Sequence, residues 1–221
     1  AFRKGVTYRF SFEAERLDRP GYVLPCVYSV SPEGVHRAVP FDGRDVFLSS
    51  VGKAAAAGVD FVSFPAEVRW GEKSVDFSAL DALIGEILSV NPHALLVPRL
   101  PLDAPAWWLR DHPDDRMAFG DGTRPQMASV SSRAYRRLAV DFAERVVRHL
   151  MERFPRHFAG IHPVGQNTGE WFYFQSWKRQ CGYDPRTLEA FRAHLGDAAA
   201  AVPTPQERLA PVLDERTVAF N

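Results

Sequence analysis

The clearest helix-to-strand transition in the chain is the stretch GVDFVSF, residues 58–64. The segment 44–57 before it predicts a helix, and Gly58 stands where glycine commonly ends one, because glycine adopts the left-handed C-cap conformation at little cost. Residues 60–64 then predict a short apolar strand. The stretch therefore predicts a helix that leads directly into a strand, as in α/β proteins.

The same alternation extends along the chain in both directions. Further strands are predicted at 22–30, 94–99 and 158–164. Further helices are predicted from Asp76 or Ser78 onward, at 131–154, from the cap pair Asp184 and Pro185, and at the capping-box pattern of Thr204 and Glu207. Strands that alternate with helices favour parallel βαβ units, which occur in doubly wound sheets and in (β/α)8 barrels. No Gly-rich dinucleotide fingerprint follows the first predicted strand, so nothing favours a dinucleotide-binding fold.

The number of units favours part of a barrel. A (β/α)8 barrel needs eight units over about 250 residues, and the sequence predicts four strands. We therefore predict an α/β fold of the TIM-barrel type, with about the first four βα units in residues 21–221 and the rest of the barrel C-terminal to Asn221. Residues 1–20, in which 6–15 alternates apolar and polar positions, are predicted to form an N-terminal strand or the tail of a preceding β-rich module.

Charge and composition exclude several classes of partner. Lys+Arg and Asp+Glu number 27 each, so no basic surplus predicts binding to nucleic acid or to an anionic membrane. No apolar run reaches the roughly 18 residues of a membrane helix, and no signal peptide is visible, so the compartment stays open. The two cysteines and seven scattered histidines show no metal-ligand spacing, and we expect neither a metal nor another cofactor.

The tryptophans share one kind of position. All five lie in segments just after predicted strand ends: Trp70, Trp107, Trp108, Trp171 and Trp177. In parallel α/β folds the loops leaving the strand ends build the active site. Aromatic rings beside carboxylates and amides suit a carbohydrate, which presents apolar C–H faces and hydroxyl groups. The alternative is that some of these rings fill gaps under long loops.

The stretch GQNTGEWFY, residues 165–173, holds the best candidate for chemistry. It leaves the fourth predicted strand and places Glu170 between a glycine and three aromatic residues. Glycosidic cleavage needs one carboxylic acid to protonate the leaving oxygen and a second carboxylate to attack or to activate water. Aromatic walls raise the pKa of such an acid by penalising its ionised form. By itself, a Gly-Glu-aromatic pattern remains a weak signal.

Several pieces of the chain, taken in order, resemble glycoside hydrolase family 42, the β-galactosidase-type enzymes. The matching pieces are GVDFVSF with AEVRWGEKSVDFSALD (66–81), LLVPRLPLDAPAWWLRDHPD (95–114), DGTRPQMASVSSRAYRR (121–137), IHPVGQNTGEWFY (161–173) and AFRAHL (190–195). The resemblance covers the N-terminal half of the family's catalytic barrel. It implies a retaining double displacement without a metal, with Glu170 at the position of the general acid/base and the nucleophile on a later strand.

Further site residues come from the resemblance and from position. The resemblance implies that an arginine before the paired serines contacts sugar, and Arg124 lies nearest to that place. Gly169 stands where the family has asparagine, and Asn167 is the nearest amide that could replace it. Aromatic and acidic residues at predicted strand ends complete the set. The predicted substrate contacts are Asn167, Trp171, Tyr173, Arg124, Trp107, Asp103 and Glu67.

The predicted function is hydrolysis of β-galactosides or related β-glycosides, with carbohydrate as the partner molecule. Because the nucleophile is expected beyond Asn221, the chain alone should be incomplete and inactive. Two alternatives stay open: a carbohydrate-binding relative that has lost its chemistry, and another barrel glycosidase such as a β-amylase-like enzyme, which also uses a Gly-Glu pair at its acid position.

Overall fold

The computed structural model describes residues 43–166, 173–176 and 179–221, and the backbone of residues 28–30 and 36–38. The chain divides into two compact units, residues 1–43 and 44–221. In the first unit, β1 (Tyr28–Val30) pairs antiparallel with β2 (His36–Ala38). The predicted strand 22–30 is therefore described only at its end, where it joins an antiparallel pair and not the parallel sheet. The predicted strand at 6–15 lies outside the described residues.

In chain order, the remaining elements are α1 (Gly43–Ala56), β3 (Phe61–Pro65), β4 (Arg69–Trp70), β5 (Val75–Asp76), α2 (Ser78–Val90), β6 (Leu95–Pro101), α3 (Ala106–Asp111), α4 (Arg133–Arg153), β7 (His162–Val164), α5 (Pro185–Leu195) and α6 (Glu215–Phe220). The predicted alternation holds for α1, β3, α2, β6, α4, β7 and α5, with shorter elements between them. Short 3-10 turns occupy Pro113–Asp115 and Glu207–Leu209. Among the described residues, no helix is long and apolar enough to cross a membrane.

The central sheet is parallel and its strands follow chain order. β6 lies between β3 and β7, and β4 pairs with β5 in a separate antiparallel hairpin. The register pairs Ser63 with Val97 and Arg99 with His162. The described part of the chain thus contains three parallel strands, which confirms the α/β class with a parallel sheet but not the predicted count of four units.

One face of the sheet is covered by helices. Val62 and Phe64 of β3 and Leu96 and Leu100 of β6 are buried. They share one core with the apolar stripes of the two long helices. The most buried residues of these stripes are Leu80, Ile84 and Ile87 in α2 and Phe142, Val146 and Leu150 in α4. α1 adds Val51 to the same core. Apolar residues spaced at the helical period and apolar residues spaced at the strand period thus pack into one core between the helices and the sheet.

The opposite face of the sheet is open within the described residues. Phe61 is 66% exposed, and Ser63 and Pro65 are exposed with it. Val97 and Arg99 of β6 are only half-buried on that side. A doubly wound sheet carries helices on both faces, whereas α1, α2 and α4 pack here against one.

Two of the predicted helix caps form, whereas the predicted cap of α2 by Asp76 or Ser78 is wrong, since Phe77 is its N-cap and no side chain caps it. Asp184 accepts a 3.0 Å hydrogen bond from the backbone N–H of Thr187 at the start of α5. Thr204 and Glu207 make the predicted reciprocal pair, in which each side chain accepts from the other's backbone N–H. That second cap opens only a 3-10 turn and not the helix that its pattern predicts.

A buried carboxylate fastens the long connection between β6 and α4. Asp115 is 6% exposed and accepts hydrogen bonds from Ser132 Oγ at 2.7 Å and Arg186 Nε at 2.8 Å. Ser132 is also the N-cap of α4 and accepts from the backbone N–H of Tyr135. The connection, which the sequence predicts as a plain loop, is thereby tied to the first turns of α4 and α5.

Candidate active site

The carboxyl ends of the three parallel strands lie side by side. The backbone N–H of Ala66 donates to the carbonyl of Arg99, and that of Leu102 donates to the carbonyl of Val164, both at 2.8 Å. The ladder therefore continues one step beyond β3 and β6. Functional groups of parallel α/β folds gather at this edge of the sheet.

At the next position, a side chain replaces the backbone carbonyl as the hydrogen-bond acceptor. Asp103 Oδ1 accepts a 2.7 Å hydrogen bond from the backbone N–H of Gln166, just after β7. Burial raises the pKa of Asp103 above its ordinary value, and the hydrogen bond from Gln166 opposes that rise without cancelling it. A half-buried carboxyl group with a raised pKa thus sits at the edge where the sequence predicts the active site.

Tyr135 supports the end of β6 from the helix side. Its ring is 3% exposed in the first turn of α4, and its hydroxyl donates a 3.0 Å hydrogen bond to the carbonyl of Leu102. Burial, with a smaller contribution from the charge of Asp103, raises the pKa of the Tyr135 phenol far above its ordinary value. The hydroxyl group therefore stays protonated and holds the backbone next to Asp103.

Gln166 has an unusual backbone. Its φ is 61°, in the left-handed region that residues other than glycine rarely adopt. The side chain is 7% exposed, its Oε1 accepts from the backbone N–H of Phe174 at 3.3 Å, and its Nε2 lies 3.5 Å from the carbonyl of Ala128. Gln166 thereby joins the start of the GQNTGEWFY stretch to the residue that follows it.

Three predicted site residues fall outside the described part of the chain. They are the predicted acid/base Glu170 and the predicted substrate contacts Asn167 and Trp171. The described residues that border them are Gln166 before and Tyr173 after.

The other predicted contacts are spread over several elements. Glu67 follows β3 and is exposed at the same edge as Asp103. The ring of Tyr173 packs against a small apolar cluster that includes Met117 and Cys181, and burial raises the pKa of its phenol. Asp103 and Glu67 are thus the predicted contacts that the strand ends bring to one edge.

Trp107 and Arg124 are engaged with backbone. Trp107 Nε1 donates to the carbonyl of Trp70 at 3.3 Å, and Arg124 Nη1 donates to the carbonyl of Pro113 at 2.8 Å. Arg124 is exposed and uses one of its five N–H donors in this contact. Both residues therefore brace loops in the structure as described.

Two of the tryptophans at strand ends belong to the core. Trp70 stacks on Phe142 of α4 with ring centroids 4.0 Å apart, and Trp108 is 4% exposed and stacks on His112. For these two rings the alternative prediction is confirmed: they pack against the core under loops. Trp177 lies outside the described residues.

The described residues contain no cluster of three or more His, Cys, Asp or Glu side chains placed to hold a metal ion. Asp103, Glu67 and the amide of Gln166 instead offer hydrogen-bond acceptors and donors at the sheet edge.

Comparison with solved structures finds β-galactosidases. The chain is similar to a β-galactosidase from the psychrophilic Marinomonas ef1, with a TM-score of 0.47 and 16% identity over 69% of this chain and 23% of that one. It is also similar to a catalytic mutant of a GH42 β-galactosidase from G. stearothermophilus, with a TM-score of 0.45 and 18% identity over 70% of this chain and 22% of that one. A cold-adapted β-galactosidase from Rahnella sp. R3 gives a TM-score of 0.44 and 17% identity over 71% of this chain and 22% of that one.

The chain thus spans less than a quarter of the length of these enzymes. No family profile matches the chain, and no curated protein matches it in sequence.

Proposed function

We propose that this chain is part of a (β/α)8 glycosidase that hydrolyses β-galactosides or related β-glycosides with retention of configuration, with Glu170 as general acid/base. The observation that carries the proposal is the position of the segment that holds Glu170. That segment begins at Gln166, directly after β7, and Gln166 is hydrogen-bonded to Asp103 after β6. Glu170 follows Gln166 by four residues in the sequence, and Gln166 lies at the edge of the sheet where parallel α/β enzymes place their chemistry.

The barrel part of the proposal is supported by the sheet. Three parallel strands follow chain order, their helices pack on one face, and the other face carries Phe61 uncovered. On that face Nε of Arg99 is shielded from solvent and has no hydrogen-bond partner among the described residues. Buried donors are nearly always paired in complete folds. We infer that further barrel strands, C-terminal to Asn221, cover this face and bring the nucleophile.

The proposed mechanism is a double displacement. Glu170, protonated, donates its proton to the glycosidic oxygen while the nucleophile attacks the anomeric carbon and the leaving alcohol departs. The same carboxylate then takes a proton from water, which attacks the glycosyl-enzyme and releases the sugar with its original configuration. This mechanism requires the two carboxyl groups to lie about 5–5.5 Å apart.

The proposed substrate contacts come from the sheet edge, from the sequence around Glu170 and from two loops. Asp103 and Glu67 supply acceptors for sugar hydroxyls at the sheet edge, and Asn167, Trp171 and Tyr173 belong to the segment around Glu170. Trp107 is only partly buried, and among the described residues one N–H donor of Arg124 is seen bonded. These two residues are proposed as outer contacts for the remainder of the substrate.

The direct test uses the full-length protein that carries this chain. Glu170→Gln should lower the hydrolysis of aryl β-glycosides by about a hundredfold or more, since general acid/base catalysis contributes roughly 10²–10⁴-fold. Glu72→Gln, a change at an exposed loop glutamate, is the matched control and should leave the rate unchanged. Proton NMR of the first product should show the β-anomer.

Other outcomes separate the alternatives. Equal rates for the wild type and Glu170→Gln would overturn the assignment of the acid/base. Binding of sugars without any turnover by the wild type would support a carbohydrate-binding relative, and cleavage of α-linked glucans alone would support a β-amylase-like enzyme.

A further inference from the structure

We propose that Asp103 is a positioning residue that fixes the backbone of Gln166, four residues before Glu170 in the sequence, through its hydrogen bond from the backbone N–H of Gln166. This inference rests on the proposed function, because the group that it positions is Glu170. It goes beyond a role for Asp103 as a contact to substrate, since the carboxylate here acts on the enzyme's own backbone.

The geometry of the hydrogen bond supports this role. At 2.7 Å, the contact from Gln166 N to Asp103 Oδ1 is short for an N–H···O bond and has the length of a charge-assisted one. It replaces the backbone acceptor that a parallel ladder would otherwise offer after the bond from Leu102 to Val164. The backbone of Gln166, after β7, is therefore bonded to the side chain of Asp103, which follows β6, and not to a backbone carbonyl of the sheet.

The side chain of Gln166 makes a second hydrogen bond, to a residue further along the chain. Its Oε1 accepts a hydrogen bond from the backbone N–H of Phe174. Gln166 is therefore bonded both to Asp103, after β6, and to Phe174. Asp103 thus acts directly on Gln166 and through it on Phe174.

The backbone is strained at two described positions, one before and one after residues 167–172. Among the described residues, Gln166 with φ 61° and Gln175 with φ 55° are the only non-glycine residues with positive φ. A non-glycine residue in the left-handed region costs on the order of 1–3 kcal/mol, and such residues collect at functional sites. The fold therefore holds Gln166 and Gln175 against their intrinsic backbone preference.

Asp103 also carries an energetic cost that simple packing does not require. The side chain is half-buried, and the described structure shows one hydrogen bond to its carboxylate. Desolvation penalises its ionised form, as the raised pKa of Asp103 records. A neutral side chain would fill the same space at lower cost, so the retained charge fits a role in orienting the backbone.

The first test measures the positioning directly, without reference to activity. Amide hydrogen exchange at Gln166 should become about tenfold faster or more in Asp103→Ala, since hydrogen bonds to charged acceptors are among the strongest in proteins. Asp103→Asn keeps an acceptor oxygen in place and should give a smaller increase. Asp197→Asn, which changes another carboxylate that accepts a backbone N–H, is the matched control and should leave exchange at Gln166 unchanged.

The second test asks whether the positioning matters for the reaction of the full-length protein. Asp103→Ala should lower kcat by about tenfold or more with KM changed by less than about threefold, since misplacement of a reacting group by 1 Å can cost on the order of a hundredfold in rate. Asp103→Asn, which keeps an acceptor oxygen, should lower kcat less. A mere sugar contact would instead raise KM at constant kcat, and that result would overturn the proposal.

Different results would overturn the positioning role of Asp103 and the proposed role of Glu170. Unchanged exchange at Gln166 in Asp103→Ala would overturn the positioning role even if Glu170→Gln abolished activity. Faster exchange at Gln166 together with full activity of Glu170→Gln would retain the backbone contact and overturn the proposed function on which its catalytic meaning rests.

Discussion

Trp70 and Phe142 stack face to face, with ring centroids 4.0 Å apart and planes within 4°. The stack joins the short strand β4 to the long helix α4 and makes Trp70 a packing residue. Because Trp70 is only partly buried, we predict that Trp70→Ala lowers the free energy of unfolding by about 3 kcal/mol, the lower end of the range for loss of a large aromatic side chain from a core. Urea denaturation followed by circular dichroism measures this change.

Trp70→Phe is the control for that prediction, because it keeps an aromatic ring opposite Phe142. It should cost clearly less than Trp70→Ala. If Trp70→Ala changed the free energy of unfolding by less than about 0.5 kcal/mol, which is the usual range for surface substitutions, the stack would contribute nothing to the core.

The hydroxyl of Tyr135 gives a second prediction. Tyr135→Phe removes the buried 3.0 Å hydrogen bond to the carbonyl of Leu102 and keeps the ring. We expect a loss of about 1 kcal/mol in the free energy of unfolding, the usual net value of one such bond. The same substitution should speed amide exchange in the backbone around Leu102, and an unchanged stability would contradict the contact.

The buried carboxylate of Asp115 makes stability depend on pH. Burial alone would raise the pKa of Asp115, but hydrogen bonds from Arg186 and Ser132 outweigh burial and lower it. A carboxyl group whose pKa is lower in the folded state stabilises the fold above its unfolded pKa, and this contribution is lost as pH falls through the folded value. We therefore expect the contribution of Asp115 to disappear below about pH 4, near the ordinary pKa of aspartate.

Asp115→Asn measures that contribution. Because the Arg186 side chain is 41% exposed and its ion pair is screened, we expect a loss of only about 1–2 kcal/mol at pH 7. The stabilities of the variant and the wild type should converge as pH falls below about 4. A difference that stayed constant from pH 7 to pH 3 would show that the charge is not responsible.

The carboxyl group of Asp103 should change stability with pH in the opposite direction. Its pKa is raised in the folded state, chiefly by burial, so the folded chain binds the proton more tightly than the unfolded chain. Stability from this group is present below the unfolded pKa and declines as pH rises through the folded value. We therefore expect Asp103→Asn to have an equal or higher melting temperature than the wild type at pH 7, whereas a large loss would show that the ionised carboxylate stabilises the fold.

Periodic features of the sequence predicted the fold well. Leu80, Ile84 and Ile87 recur at helical spacing and are buried in α2, and Asp184 caps α5 as its pattern indicates. Such local signals survive because each depends on residues close in sequence. The same holds for the strands β3 and β6, whose alternation places Val62 and Phe64 in the core.

Features that depend on distant partners were not visible in the sequence. Trp108 follows a strand end like a site residue, yet it is buried because α4 lies over it and Tyr135 packs near its ring. The antiparallel pairing of Tyr28–Val30 depends on His36–Ala38, which carries no clear strand pattern of its own. Gln166 stands within the quoted stretch, but glutamine has no particular preference for the left-handed region, so its conformation could not be predicted.

The central claim is that Glu170 donates the proton to the leaving group, and the leaving-group dependence of the Glu170→Gln variant tests it most directly. An aryl glycoside with a strongly acidic phenol needs no proton to depart, whereas an alkyl glycoside does. In the full-length protein we predict that the first cleavage step of Glu170→Gln is nearly as fast as in the wild type with the acidic phenol, and slower by about a hundredfold or more with the alkyl leaving group. An equal loss with both leaving groups, or no loss with either, would contradict the assignment of Glu170 as the acid.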